Sequence, residues 1–183
     1  MEFKETEFKL KDGRTALLRS PREEDAEEML RFLIKACGET EFLLRFPEEW
    51  ADVSPDQEKA ILKERLGDPN GLMIACLVDG KLAGNCQIAF QARAKTRHRA
   101  SVAIALLREF WDLGIGTKMF EEMFRLAGER PEVRQIELDF IEGNDRARHL
   151  YEKMGFRITG VRPDAIRRKD GTFANEYMMV KML

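Results

Sequence analysis

The spacing of apolar positions changes several times along the chain, and each change marks a predicted element. TALLRS at 15–20 reads as a strand. Ser20 and Pro21, followed by an acidic turn, predict a helix start; Ala26, Met29, Leu30, Leu33 and Ile34 then recur at helical spacing to about Cys37, and Gly38 is the expected stop. Residues 39–54 mix aromatics, acids and a proline without a period and read as an ordered loop near a ligand or a cover over the core. Ser54 and Pro55 open a second helix through about Leu66, closed by the turn residues Gly67 to Gly71.

From residue 72 the pattern switches to strands. LMIACLV at 72–78 and KLAGNCQIAF at 81–90, joined by Asp79-Gly80, predict a hairpin, and RASVAIALL at 99–107 supplies a third neighbouring strand. After a turn at 108–113 a helix begins near Gly114, with Met119, Phe120, Met123, Phe124 and Ala127 on its buried side. QIELDFI at 135–141 is a strand. Asn144 begins a short helix in which Ala147, Leu150, Tyr151 and Met154 share a face, and Gly155 ends it. Two strands follow, at about 156–168 and 173–182, around the turn Lys169-Asp170-Gly171. Strands first, then strand-helix units, predict an α+β domain with a mixed sheet.

Composition narrows the picture. With 183 residues the chain is expected to form one domain, 1–183, and its 44% hydrophobic and 35% charged content points to a soluble globular protein rather than a disordered or fibrous one. A net charge of -2 offers no overall attraction to nucleic acid or to an anionic membrane. No apolar run approaches the ~20 residues needed to cross a bilayer, and MEFKETEFKLK is too charged for a signal peptide, so no membrane association and a cytoplasmic location are expected. Cys37, Cys76 and Cys86 have no metal-ligand spacing and read as buried free thiols; no metal is expected.

Two segments carry candidate chemistry. In WDLGIGT at 111–117, a strand, a tight turn and a helix start would aim several backbone N–H groups one way, where they attract an anion. Gly114 and Gly116 let a diphosphate approach the main chain, and Thr117 adds a hydroxyl. The run is not a dinucleotide fingerprint, since position 119 is Met, and the GxxxxGK[ST] phosphate loop is absent. The second segment is NDRARHLYEKMGF at 144–156, where Asn144 and Tyr151 lie seven residues apart, close to the same angle on a helix and about 10 Å along it. Taken singly, Asn144 is explained as a helix cap and Tyr151 as a core tyrosine.

Together, in this order and about thirty residues apart, the two segments resemble the GNAT acetyltransferase superfamily. Its coenzyme A signature is Arg or Gln, two residues, Gly, one residue, and Gly or Ala; its later motif resembles N-x-x-A-x-x-L-Y-x-x-x-G-F, matched here at Asn144, Ala147, Leu150, Tyr151, Gly155 and Phe156. Trp111 stands at the usual Arg or Gln position. The resemblance implies a three-layer α/β arrangement with a mostly antiparallel central sheet of six to seven strands and helices on both faces. It implies acetyl-CoA as co-substrate, with Ala105 and Leu106 pairing the pantetheine arm through their main chain. The turn Trp111, Asp112, Leu113, Gly114, Ile115, Gly116 and Thr117 would bind the pyrophosphate, Asn144 would contact the cofactor arm, and Tyr151 would be the general acid for the departing thiolate.

The implied reaction is direct transfer of acetyl from acetyl-CoA to a primary amine, of a small molecule or of a protein, in a ternary complex. An amine that is mostly protonated at neutral pH must lose a proton before attack. Glu137, Asp139, Glu48, Glu49 and His98 remain open as the base, Glu137 being the one carried forward. The acidic residues Glu39, Glu41, Glu48 and Glu49 favour a cationic acceptor, and a homodimer is expected by resemblance. The run KTRHR at 95–99 reads as an exposed basic face, or as a site for the cofactor's 3'-phosphate or an acidic partner. A coenzyme A sensor without catalysis on the same fold is the alternative.

Overall fold

The computed structural model describes residues 2–183. Eight strands follow the order β1-β2-β3-β4-β5-β6-β8-β7, mostly antiparallel, and the chain packs as two compact units. The first unit comprises the residues up to Ala89 together with Ala103–Met119, and the second comprises Phe90–Val102 with Phe120–Leu183.

In the first unit β1 (Thr6–Lys9), β2 (Thr15–Arg19), β3 (Gly71–Val78) and β4 (Lys81–Phe90) run antiparallel in sequence order. Asp79 and Gly80 both have positive φ, 52° and 76°, so the hairpin turn has the twist that flanking strands favour. β1 is the strand that raises the count above six to seven. Its TEFK contributes one large apolar side chain, too few to register as a period, and pairing with β2 at Thr6↔Leu18 through Lys9↔Thr15 supplies the order instead.

The first long helix starts later than Ser20. The Ser20 hydroxyl accepts a hydrogen bond from the Phe3 N–H at 2.8 Å, so it is not a cap. A 3₁₀ turn at Glu23–Asp25 intervenes, fixed by the Asp25 carboxylate on the Arg19 guanidinium (2.6 and 2.8 Å) and the Arg22 N–H (2.7 Å). Then α1 runs Ala26–Glu39, and Gly38 lies inside it rather than ending it. The segment read as loop contains a five-residue helix, α2 (Pro47–Ala51), started by Pro47 and by Glu49 accepting from the Phe46 N–H at 2.6 Å. Capping starts this helix and packing against α1 holds it, and at five residues it is too short to show an apolar period.

α3 (Pro55–Gly67) begins where expected. Ser54 accepts from the Gln57 N–H at 3.3 Å while Gln57 accepts from the Ser54 N–H at 2.8 Å, a reciprocal cap. α1 and α3 meet the same face of β4: Asn85 donates to the Met29 sulfur at 3.7 Å and Arg65 donates to Gln87 at 2.9 Å.

β5 (Arg99–Leu106) belongs to both units, its first four residues to the second and its last four to the first. In the second unit it pairs in parallel with β6 (Gln135–Ile141) only at Arg99↔Gln135, Ala100↔Ile136 and Ser101↔Glu137. β6 pairs antiparallel with β8 (Phe173–Met182), and β8 with the outer strand β7 (Arg157–Arg167). α4 (Ile115–Gly128) precedes β6, and α5 (Asp145–Lys153) follows it.

Candidate functional site

The turn from β5 to α4 is anchored on every side within the first unit. The Leu107 N–H bonds the Ala83 carbonyl at 3.0 Å, and the Lys11 N–H bonds the Leu113 carbonyl at 3.2 Å. A 3₁₀ turn at Arg108–Phe110 buries the Phe110 ring, with the Arg14 guanidinium over it at 5.5 Å. Glu39 at the end of α1 accepts from the Arg108 N–H at 2.6 Å, and Lys35 reaches Glu109 at 2.5 Å. Nothing in the sequence singles out Phe110, and Glu39, read there as one of the acids favouring a cationic acceptor, instead holds the Arg108 N–H, because both roles depend on α1 lying beside this turn.

Backbone conformation shapes the rest of the turn. Asp112 has φ 62° and Gly114 has φ 95°, two left-handed residues immediately before α4. A Cβ added to Gly114 would meet no atom within 4 Å, so conformation rather than crowding calls for glycine there. The Lys118 N–H takes the Gly114 carbonyl at 3.1 Å as the first helical bond. Ile115, Gly116 and Thr117 therefore supply the N–H groups that a helix start leaves without intrahelical acceptors, and no acidic side chain occupies this first turn. Left-handed residues followed by a helix N-terminus form a concavity suited to an anion.

Trp111 is part of this scaffold. Its indole N–H donates to the Leu106 carbonyl at 3.0 Å, and the Arg108 guanidinium lies 5.5 Å from its ring. At Gly84 on β4 a Cβ would fall 2.2 Å from a Leu106 methyl and 2.7 Å from the Ala105 carbonyl oxygen, so only glycine lets β4 approach Ala105 and Leu106 this closely.

In the second unit Asn144 is the N-cap of α5, its side-chain oxygen accepting from the Ala147 N–H at 3.3 Å. Tyr151 lies on the buried side of that helix, packed edge-on against Phe120, Phe140 and Phe156 at centroid distances of 5.6, 6.0 and 6.3 Å. Its side chain is buried, and its hydroxyl makes no hydrogen bond among the described residues. Burial pushes the phenol up to about 12, so it stays protonated throughout the physiological range.

The base candidates separate on their partners. Glu137 is clamped by Arg99 through two bonds of 2.5 and 2.6 Å and by Gln135 at 2.6 Å, and the Arg99 hydrogen bonds hold its carboxyl below the usual carboxylate range. A carboxylate so satisfied has little proton affinity to offer. Asp139 lies 3.9 Å from Arg162, Glu49 caps α2, and His98 is exposed in the basic run, whose Lys95 and Arg97 also face solvent. Cys37, Cys76 and Cys86 are buried free thiols, and burial pushes Cys76 up to about 12.

The Acetyltransferase (GNAT) family model matches residues 38–156, which include the β5–α4 turn and all of α5. The chain therefore belongs to the GNAT acetyltransferase family. It is 24% identical over 153 residues, 82% of this chain and 79% of the other, to YdaF of Bacillus subtilis (strain 168), provisionally named a ribosomal N-acetyltransferase. The crystal structure of a GNAT-family acetyltransferase from Streptococcus pneumoniae superposes with a TM-score of 0.83 at 26% identity, covering 92% of this chain and 99% of that one. RimL, a ribosomal L7/L12 alpha-N-protein acetyltransferase solved in complex with coenzyme A, shares the fold with a TM-score of 0.77 at 15% identity, over 92% of this chain and 94% of that one. No helix among the described residues is long and apolar enough to cross a membrane.

Proposed function

We propose that the protein transfers acetyl from acetyl-CoA directly to a primary amine, and that the acceptor is the amine of a protein or peptide. The observation that carries this reading is the β5–α4 turn: two left-handed residues, Asp112 and Gly114, lead into a helix start whose first turn holds no acidic side chain and offers the N–H groups of Ile115, Gly116 and Thr117. These amides suit the coenzyme A pyrophosphate, and Ala105 and Leu106 supply main-chain groups on the strand leading to it. The names of YdaF and RimL support a ribosomal-protein amine as acceptor.

In the reaction the neutral amine attacks the thioester carbonyl, the C–S bond breaks, and the amine's surplus proton leaves to a base or to water. Tyr151 is the proposed donor to the departing sulfur. A phenol near 12 is a weaker acid than a thiol of ordinary pKa about 8.5, so its share is a hydrogen bond that stabilises the thiolate, not early loss of its proton. Asn144, with its oxygen engaged in the cap, retains its amide hydrogens for the cofactor arm.

Calorimetric titration with coenzyme A, and thiol release from acetyl-CoA with a panel of peptide and small-molecule amines, test the reading. Micromolar coenzyme A binding and turnover faster with peptide α-amines support it. Binding without turnover on any amine would identify a sensor, and no coenzyme A affinity would end the assignment. Gly114→Val should weaken coenzyme A at least tenfold, because a β-branched residue resists a φ of 95°.

A further inference from the structure

Glu58, in the first turn of α3, has no part in the proposed chemistry and is 3% exposed. Its Oε2 is enclosed without a hydrogen-bond partner, and no salt bridge reaches the carboxylate. An enclosed, unpaired carboxylate is expensive when ionised, so the arrangement suits the protonated acid. The surroundings bear this out. β3, packed beneath α3, carries no charged residue in GLMIACLV. On the 3₁₀ turn before α1, Glu23 pairs with Lys59 at 3.9 Å and Asp25 with Arg19. On α1, Arg31 is held by Glu27 and Glu28, and Lys35 by Glu39 and Glu109.

The cations whose field favours the ionised form are Arg65 and Arg45. Arg45 stacks on the Trp50 ring at 4.3 Å. Arg65 shares a face of α3 with Glu58, two turns on and about 10 Å along the axis, within reach of two extended side chains. It is committed elsewhere, donating to Gln87 on β4 at 2.9 Å, which ties the end of α3 to the sheet.

We propose that Glu58 and Arg65 form a proton-controlled latch on α3: with Glu58 protonated, Arg65 holds Gln87 and α3 lies on β4, and loss of the Glu58 proton draws Arg65 off Gln87 and loosens the helix. Burial raises the Glu58 carboxyl above its ordinary range in the folded state, so the latch opens as pH rises. The sign follows from linkage. A group that binds its proton more tightly folded than unfolded gives full stability below its unfolded pKa, and that stability is lost as pH climbs through the folded one.

The test is thermal melting and amide exchange of α3 between pH 4 and pH 9, on the full chain and on Glu58→Gln and Arg65→Met. In the parent chain Tm should fall by several degrees across one titration step, with the protection factors of α3 amides falling at least tenfold above it. Glu58→Gln should lose the step, and Arg65→Met should move it to higher pH by removing a cation that favours the ionised form. Carbon NMR of labelled glutamate in the parent chain reads the Glu58 titration directly, so a poorly folded variant does not end the test. A carboxyl titrating in the ordinary range, or α3 protection factors independent of pH, overturns the latch.

Discussion

At the scale of single residues, two side chains with similar prospects in the sequence part company in the structure. Tyr151 keeps a hydroxyl without a hydrogen-bond partner among the described residues, so deleting that oxygen costs the fold little. Tyr151→Phe should lower kcat about a hundredfold or more while leaving coenzyme A affinity within a fewfold and Tm nearly unchanged, as read by thiol release, calorimetry and melting. Glu137, by contrast, is spent on Arg99. Glu137→Gln should leave kcat within about threefold and lower stability by at most about 1 kcal/mol, because Arg99 is 40% exposed and solvent screens the pair. Since the folded Glu137 pKa lies below its ordinary value, that contribution is present above the ordinary range and is lost as pH falls through the folded value; melts of parent and variant should converge on acidification. A large loss of kcat in Glu137→Gln would restore it as the base.

At the scale of elements, helix starts show where local rules suffice and where they do not. Ser54 and Gln57 satisfy each other's N–H groups at the head of α3, an interaction that needs nothing beyond four consecutive residues. Ser54→Ala should cost about 1 kcal/mol in denaturant unfolding, and an unchanged midpoint would mean that α3 is held by its packing alone. Ser20 carries the same local signal, yet its hydroxyl is taken by Phe3, seventeen residues away, and the helix begins at Ala26. Gly38 likewise reads as a stop but lies within α1, whose last residue, Glu39, holds Arg108 in the candidate anion turn.

At the scale of the whole molecule, stability and the candidate site draw on shared parts. Phe120, fully buried on α4, packs against Phe124, Tyr151 and Phe156, so the aromatic core of the second unit also orders the Tyr151 ring proposed to face the departing sulfur. Phe120→Ala should destabilise by roughly 3–5 kcal/mol in chemical denaturation and lower kcat even where the protein remains folded. A loss below about 1 kcal/mol would show that the aromatic cluster is not cooperative.

The sequence by itself determined seven strands, the apolar faces of α1, α4 and the short α5, the Asp79-Gly80 hairpin, the glycine turn and the Asn144 cap, because each rests on periodicity or on contacts within a few residues. Tertiary structure decided what depends on distant partners. It alone ordered β1 through β2, took Ser20 away from its helix, gave Glu137 to Arg99 and hid the Glu58 carboxylate under α3. The reason is physical: a short-range pattern fixes which way a backbone turns, whereas the proton affinity of a carboxylate and the partner of a hydroxyl are set by whatever the fold brings within about 3 Å.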